Sequence, residues 1–166
     1  MKIYKKLGHI STFQTQNKIV DPIAFEWYEV HKRIAHKTSQ NGNSIQIKFL
    51  NENPNFQEGD VLFETETHIG SVEITPCECL VIIPKSNFEL AAACFEIGNR
   101  HLPLFMDHDE LMVAFDKPLA RYFEASNYKI KKEERKLVKP LKTTVAPHGE
   151  NKSLFTKIMQ LTQPTS

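Results

Sequence analysis

Short runs of alternating apolar and polar residues dominate the first half of the chain. Residues 44–50 alternate strictly, as a strand with one buried face requires. The Asn41-Gly42 pair before this run favours positive backbone angles and predicts a tight hairpin with residues 34–39. Two further apolar segments, 61–63 and 69–74, are set off by turn residues. The first half therefore predicts a small all-β lobe.

The pattern changes after residue 75, where longer segments with helical spacing alternate with short apolar runs. Ser86 followed by Glu89 has the spacing of a capping box at a helix start, and Pro118 suits the first turn of a second helix. The predicted order is strand, helix, strand, strand, helix, strand, at about 79–83, 86–98, 102–106, 110–115, 116–127 and 128–132. This order is the ferredoxin-like βαββαβ pattern.

Helical spacing also predicts which side chains are buried. For the first helix, the apolar residues at three- and four-residue intervals are Phe88, Ala91, Ala92, Phe95 and Cys94. Gly98 is placed to end this helix in the left-handed conformation. The second helix is expected to bury Leu119, Tyr122 and Phe123, and to end at Asn127.

Together these patterns predict an α+β protein in three segments. Residues 1–75 form an all-β domain of a peptide-binding or partner-binding type, and residues 76–138 form the ferredoxin-like domain. Residues 139–166 are expected to be a flexible tail, in which 154–161 alone has the pattern of a short amphipathic helix.

Composition and charge narrow the function classes. The chain has 21 basic and 20 acidic residues, a balance that favours neither nucleic acid nor a membrane surface. No apolar run approaches the roughly 20 residues that cross a bilayer. A secretion signal requires a continuous apolar segment near the N-terminus, and here the polar residues Ser11, Thr12 and Gln14 interrupt it. Three cysteines without a disulfide spacing fit a reducing compartment, so we expect a cytoplasmic protein.

Several residues invite a metal-site interpretation. Cys77 and Cys79 lie on one face of a predicted strand. They could bind a soft metal, but we favour the alternative that they pack in the core as small apolar residues. His108, between Asp107 and Asp109, fits a polar turn better than a ligand cluster. The seven histidines show no HxxH or HExxH spacing. A zinc hydrolase would need three ligands and a general base, which this pattern does not offer, so we do not expect an enzyme.

One string is far more specific than these. Residues 94–101 read CFEIGNRH and span the end of the predicted helix and the start of the link to the next strand. This run resembles the signature of the UreE family of urease accessory proteins. The segments RIAHKTSQNGNSIQIKF, EGDVLFE and DELMVAFDKPL are similar to that family in the same order, and the resemblance extends over residues 1–148.

The resemblance implies a function and a site. Members of that family are nickel metallochaperones, with zinc as a second ion, and are homodimers joined through the ferredoxin-like domain. The signature histidine, His101 here, would meet its symmetry mate, and a tail histidine, His148, would complete or supplement the site. The implied partners are the urease-maturation GTPase and the accessory complex with apo-urease. Residues 113–117 lack histidines that some relatives carry there, which implies a small metal capacity.

A second hypothesis comes from a different class of protein. The all-β domain, with its exposed strands, would act as a peptide- or protein-binding adaptor, and metal binding would be incidental. The two hypotheses differ in whether binding depends on His101.

Overall fold

The structure, a computed structural model, describes residues 1–15 and 17–141. The first half of the described chain is all-β apart from two single-turn 3-10 helices, Ile10–Thr12 and Trp27–Glu29. Its strands are β1 (Lys2–Ile3), β2 (Gly8–His9), β3 (Ile19–Phe25), β4 (Ile34–Thr38), β5 (Ser44–Lys48), β6 (Asp60–Glu64) and β7 (His68–Ile74). The prediction of a small all-β lobe is thus confirmed.

These strands form two sheets that share a core. One sheet has the order β1-β5-β4 and the other the order β2-β6-β7-β3. The predicted hairpin is confirmed, because β4 and β5 pair antiparallel with Thr38 opposite Ser44. The alternating side chains of β5, Ile45 and Ile47, are fully buried among the phenylalanines of the same core. Burial of this one face fixes the register of the strand.

Strand β3 was missed by the sequence pattern. It pairs parallel with β7 over residues 19–25 and contains Pro22. Proline has no N–H to donate, so its presence argues against a strand in the interior of a sheet. The structure places β3 at the edge of its sheet, where one side of the strand needs no strand partner.

The second half is a four-stranded antiparallel sheet with two helices on one face. Its elements are β8 (Cys77–Ile83), α1 (Asn87–Asn99), β9 (Phe105–Asp107), β10 (Glu110–Ala114), α2 (Lys117–Ala125) and β11 (Lys129–Arg135). The strand order is β11-β8-β10-β9, and every neighbouring pair is antiparallel. This is the ferredoxin-like arrangement that the order of elements predicted.

Helix α1 starts as predicted but buries its other face. The Ser86 side chain accepts a hydrogen bond from the Glu89 N–H at 3.2 Å, although the Glu89 carboxylate accepts from Lys85 rather than from Ser86. Phe88 and Phe95, predicted to be buried, are 82% and 71% exposed. The core side of the helix carries Leu90, Ala93, Cys94 and Ile97. Both faces of α1 are apolar at helical spacing, so periodicity alone could not select between them.

Helix α2 follows the prediction more closely. The Asp116 side chain accepts a hydrogen bond from the Leu119 N–H at 2.8 Å, and Pro118 lies in the first turn. Leu119 and Phe123 are fully buried, but Tyr122 is 41% exposed and its predicted burial was wrong. Ala120 takes its place in the core. Neither α1 nor α2 is long and apolar enough to span a membrane, and no other described helix is.

The two halves meet where Trp27 packs against the apolar cluster on the outer face of the second sheet, and where Lys136 pairs with carboxylates of the β lobe. The rings of Trp27 and Phe105 pack edge to face with 5.9 Å between centroids. The Lys136 ammonium lies 2.9 Å from the Glu58 carboxylate and 3.3 Å from that of Glu73. These contacts fix the outer face of the ferredoxin-like sheet against the β lobe.

A buried carboxylate organises the hairpin turn of the β lobe. Asp21 accepts hydrogen bonds from the Ser39 hydroxyl at 2.5 Å, the Asn41 N–H at 2.9 Å and the Asn43 side-chain amide at 2.8 Å. Burial alone would raise the pKa of Asp21, but these hydrogen bonds outweigh it and lower that pKa below its usual value. The charged form of Asp21 therefore stabilises the fold.

We expect Asp21→Asn to lower the free energy of unfolding by about 1–3 kcal/mol at neutral pH, because the NH2 group that replaces one carboxylate oxygen cannot accept the hydrogen bonds donated to that oxygen. Since the folded pKa is lowered, the stabilisation is complete above the unfolded carboxyl value of about 3.8 and is lost as the pH falls through the folded value. Urea titrations at several pH values measure both effects. Asp109→Asn, at an exposed turn, is the matched control and should change neither.

Candidate metal-binding site at the end of helix α1

The last turn of α1 is closed by a Schellman motif. The His101 N–H donates to the Gly98 carbonyl at 3.0 Å, and the Leu102 N–H donates to the Ile97 carbonyl at 3.4 Å. Arg100 is the C-cap, and the residue after it, His101, has a φ of +55°. The left-handed position is therefore occupied by His101 and not by Gly98, which corrects the prediction. Gly98 is still within the helix.

An apolar contact holds this turn in place. Ile97 is fully buried, and Leu102, half-buried, packs against the same core. Such a contact across the turn accompanies many Schellman motifs. Because the residues on either side are tied to the core, His101 at the tip of the turn is directed outward, and it is exposed.

The His101 imidazole is free to bind a ligand. Within the described chain its ring makes no hydrogen bond, ion pair or aromatic contact. The neighbouring Arg100 is instead engaged with the Glu96 carboxylate at 2.8 Å and lies over the Tyr122 ring. Arg100 thus links the end of α1 to α2 and takes no part in binding a cation.

A single chain does not assemble a complete metal site from these residues. Among residues 1–15 and 17–141, no group of three or more His, Cys, Asp and Glu side chains is arranged to hold a metal ion. One exposed imidazole supplies one ligand, whereas a transition-metal ion in a protein takes four or more. Any site at His101 needs ligands from another chain or from residues beyond 141.

The cysteine pair has the features of core packing. Cys79 is fully buried and packs with Val81 and Phe105. The Cys77 sulfur lies 3.7 Å from that of Cys79, and burial, together with this neighbouring thiol, raises the pKa of Cys77 to about 12. Burial raises the pKa of Cys79 as well. The burial of this pair and its apolar neighbours match the packing role that the sequence analysis favoured.

The predicted turn at His108 is confirmed. His108 lies between β9 and β10 with a φ of +51°, is exposed, and its ring contacts only Asp107, at 2.9 Å, among the described residues. His148, the other predicted ligand, lies outside the described residues.

The structure does show where the chain leading to His148 starts. The Leu141 N–H donates to the Leu104 carbonyl at 2.7 Å, and Pro140 forms a β-bridge with Phe105. Leu104 is three residues from His101. Leu141, the last described residue, is therefore held next to the segment that follows the end of α1, a proximity that no sequence pattern indicated.

The structure adds one feature that the sequence analysis had assigned to the core. Phe88, Ala91 and Phe95 form an exposed apolar stripe along α1, and we call these three residues the α1 stripe. The stripe runs along the helix whose end carries His101. Large exposed aromatic side chains in a row are typical of a protein–protein contact.

Comparison with known proteins gives consistent matches over nearly the whole chain. The UreE urease accessory protein N-terminal domain matches residues 3–75, and the UreE C-terminal domain matches residues 77–151. Urease accessory protein UreE of Flavobacterium johnsoniae is 40% identical over 156 residues, covering 93% of this chain and 94% of the relative. The UreE protein of Acetivibrio thermocellus is 37% identical, covering 85% and 92%. That of Actinobacillus pleuropneumoniae is 35% identical, covering 84% and 77%.

The left-handed backbone at His101 generates a prediction about stability. A side chain with a Cβ in this conformation costs about 1–2 kcal/mol, which glycine avoids. We expect His101→Gly to be more stable than His101→Ala by about 1 kcal/mol, measured by urea denaturation of the two variants. Equal stabilities would contradict the assigned turn. Asn127, at the same position after α2 with a φ of +59°, provides the parallel Gly and Ala pair as a control.

Proposed function

This chain belongs to the UreE family of urease accessory proteins, and from that premise we propose that it is a nickel metallochaperone that delivers nickel to the urease metallocentre in the cytoplasm. As a member of this family it has a role in urease maturation and is not itself an enzyme. The observation that carries the proposal is the exposed imidazole of His101, which the fold presents at the tip of a fixed turn without a partner in the described chain.

The ligands that one chain lacks are supplied by a second copy. A two-fold axis beside His101 brings two imidazoles together, so that the site exists only in the homodimer. The α1 stripe supports this arrangement, because Phe88 and Phe95 would be covered where α1 meets its symmetry mate. Each phenylalanine buries roughly 150–250 Å² when covered, a large share of the ~800 Å² that each partner contributes to a stable interface.

His148 is the proposed supplementary ligand. It follows Leu141 by seven residues. An extended chain spans 3.3–3.6 Å per residue, so His148 reaches up to about 23–25 Å from Leu141. The anchoring of Leu141 on Leu104 brings the end of α1 within that radius. A histidine on a tether adds a ligand that is easily withdrawn.

Imidazole ligands suit a carrier that must release its cargo. Neutral imidazole binds nickel and zinc without losing a proton at neutral pH. A site made of a few imidazoles on an exposed surface leaves coordination positions for water or for ligands of the next protein. Nickel is the proposed cargo, with zinc as a competing ion, and the recipients are the urease-maturation GTPase and the accessory complex with apo-urease.

The first test is nickel binding by isothermal calorimetry. We expect His101→Ala to weaken nickel binding roughly a hundredfold or more. Substitution of residues that only orient a metal ligand already lowers metal affinity about 10–100-fold, and His101 is the proposed ligand itself. His148→Ala should weaken it less. His36→Ala removes an exposed imidazole from the β lobe and serves as the matched control, without effect. Light scattering verifies that each variant keeps its oligomeric state.

If His101→Ala binds nickel as tightly as the unmodified protein, the metal lies elsewhere. The adaptor hypothesis, in which the β lobe carries the activity, would then gain support.

The second test addresses the dimer. We expect Phe88→Glu with Phe95→Glu to convert the protein to a monomer, since charges would replace the apolar side chains of the interface. This variant should also lose tight nickel binding although His101 is intact. Analytical ultracentrifugation measures the first effect and calorimetry the second. Tyr4→Glu with Leu50→Glu alters two exposed apolar residues of the β lobe and should leave the dimer unchanged.

A further inference from the structure

A slot between α2 and the sheet lies away from the α1 stripe. It has a volume of about 330 Å³, and its floor is apolar, formed by Leu80, Phe115, Ala120 and Ile130. One wall is α2 and the other is β11, the edge strand of the sheet. The slot is on the β11 side of the sheet, whereas His101 precedes β9 at the opposite edge.

The residues that line this slot include more basic than acidic side chains. Among the described residues that line it, the charged side chains are Lys117, Arg121, Lys131 and Lys132 against one carboxylate, Glu124. The whole chain is almost neutral, so this excess is local. Such a local field attracts an acidic ligand and orients it on approach.

Two of the four cations are already engaged within the protein. Lys132 lies 2.8 Å from the Glu78 carboxylate and stacks over the Phe115 ring at 4.5 Å. Lys131 is between the carboxylates of Glu110, at 3.4 Å, and Glu133, at 3.5 Å. These pairs hold the β11 wall in position.

The other two cations have no such partner. Lys117 and Arg121 are exposed, lie one turn apart on α2, and form no ion pair or hydrogen bond through their side chains with any described residue. They provide the charge that is available to a ligand. Residues one turn apart on a helix face the same way, so both act on the same part of the slot.

The edge strand offers a second means of binding. β11 pairs with β8 on one side, and in the described chain no strand pairs with its other side. Lysines on an edge strand commonly prevent unwanted strand pairing. Here, however, the edge adjoins an apolar slot whose opposite wall carries unpaired cations. An extended peptide beside β11 would make backbone hydrogen bonds and place one apolar side chain in the slot.

We propose that the slot between α2 and β11 is a docking site for an acidic segment of a partner protein, one with carboxylates on both sides of an apolar anchor residue. This surface goes beyond the proposed metal site and does not depend on it. Partner binding at the β11 edge would leave the His101 end of the domain open.

The test uses the metal-free full chain and a fluorescein-labelled peptide in which glutamates flank a single leucine. Fluorescence anisotropy should show saturable binding that weakens with salt. Lys117→Glu with Arg121→Glu should weaken it at least about tenfold, and Glu124→Lys should tighten it. The matched control, Lys2→Glu with Lys5→Glu, makes the same charge change on exposed residues of the β lobe and should bind as the unmodified protein does.

Each of the following peptide results would overturn the proposal: no saturable binding by the unmodified protein, equal weakening by the slot variant and the β-lobe control, or equal binding of a peptide with glycine in place of leucine. Tighter, slot-dependent binding of single-stranded RNA would also overturn it, because the slot would then select phosphates and not a peptide. Circular dichroism of the slot variant verifies folding. Since no step uses nickel, failure here is distinguishable from failure of the metallochaperone proposal.

Discussion

The turn that ends α1 is the local constraint on which the candidate site depends. Two backbone hydrogen bonds close the turn, and the burial of Ile97 with the packing of Leu102 anchors both of its ends in the core. His101, the residue after the C-cap, adopts the left-handed conformation typical of this motif, and its side chain is exposed. His101 holds this position despite the cost of a left-handed backbone. Backbone strain often occurs at functional residues, and the ring nitrogens of His101 have no hydrogen-bond partner among the described residues.

The same turn explains why residues 1–15 and 17–141 of one chain do not complete the proposed site. A side chain presented at the tip of a turn is well positioned for a second molecule and poorly positioned to collect ligands from its own fold. The helix that leads to it is apolar on both faces, with Ala93 and Ile97 in the core and Phe88 and Phe95 outside. One helix can thus stabilise the domain, contact a second copy and position the ligand. The proposed metal site would therefore depend on formation of the dimer.

The two edges of the ferredoxin-like sheet, at β9 and at β11, carry different functional residues. At the β9 edge lie His101, the bridge from Phe105 to Pro140 and the start of the chain that carries His148. The aromatic contact of Trp27 with Phe105 fixes this edge against the β lobe. At the β11 edge lies the slot, with Lys117 and Arg121, whose side chains have no ion-pair partner among the described residues. The proposed metal site and the proposed docking slot are therefore at opposite edges of one sheet.

Much of this architecture follows from the sequence because its determinants are local. The Asn41-Gly42 turn, the alternation of 44–50, and the caps at Ser86 and Asp116 each act within a few residues, so the elements they predict are present. The family signature likewise selected His101.

Tertiary structure decided the rest, because those features depend on contacts between distant segments. Packing against the sheet determines which apolar face of α1 is buried. The closed turn has His101 in the left-handed conformation, where the sequence had predicted Gly98. Pairing with β7 made an edge strand of a segment containing proline, and the hydrogen bond from Leu141 to Leu104 placed the last described residue next to the segment that follows His101. No pattern of neighbouring residues encodes such contacts, since each is set by the free energy of the assembled core.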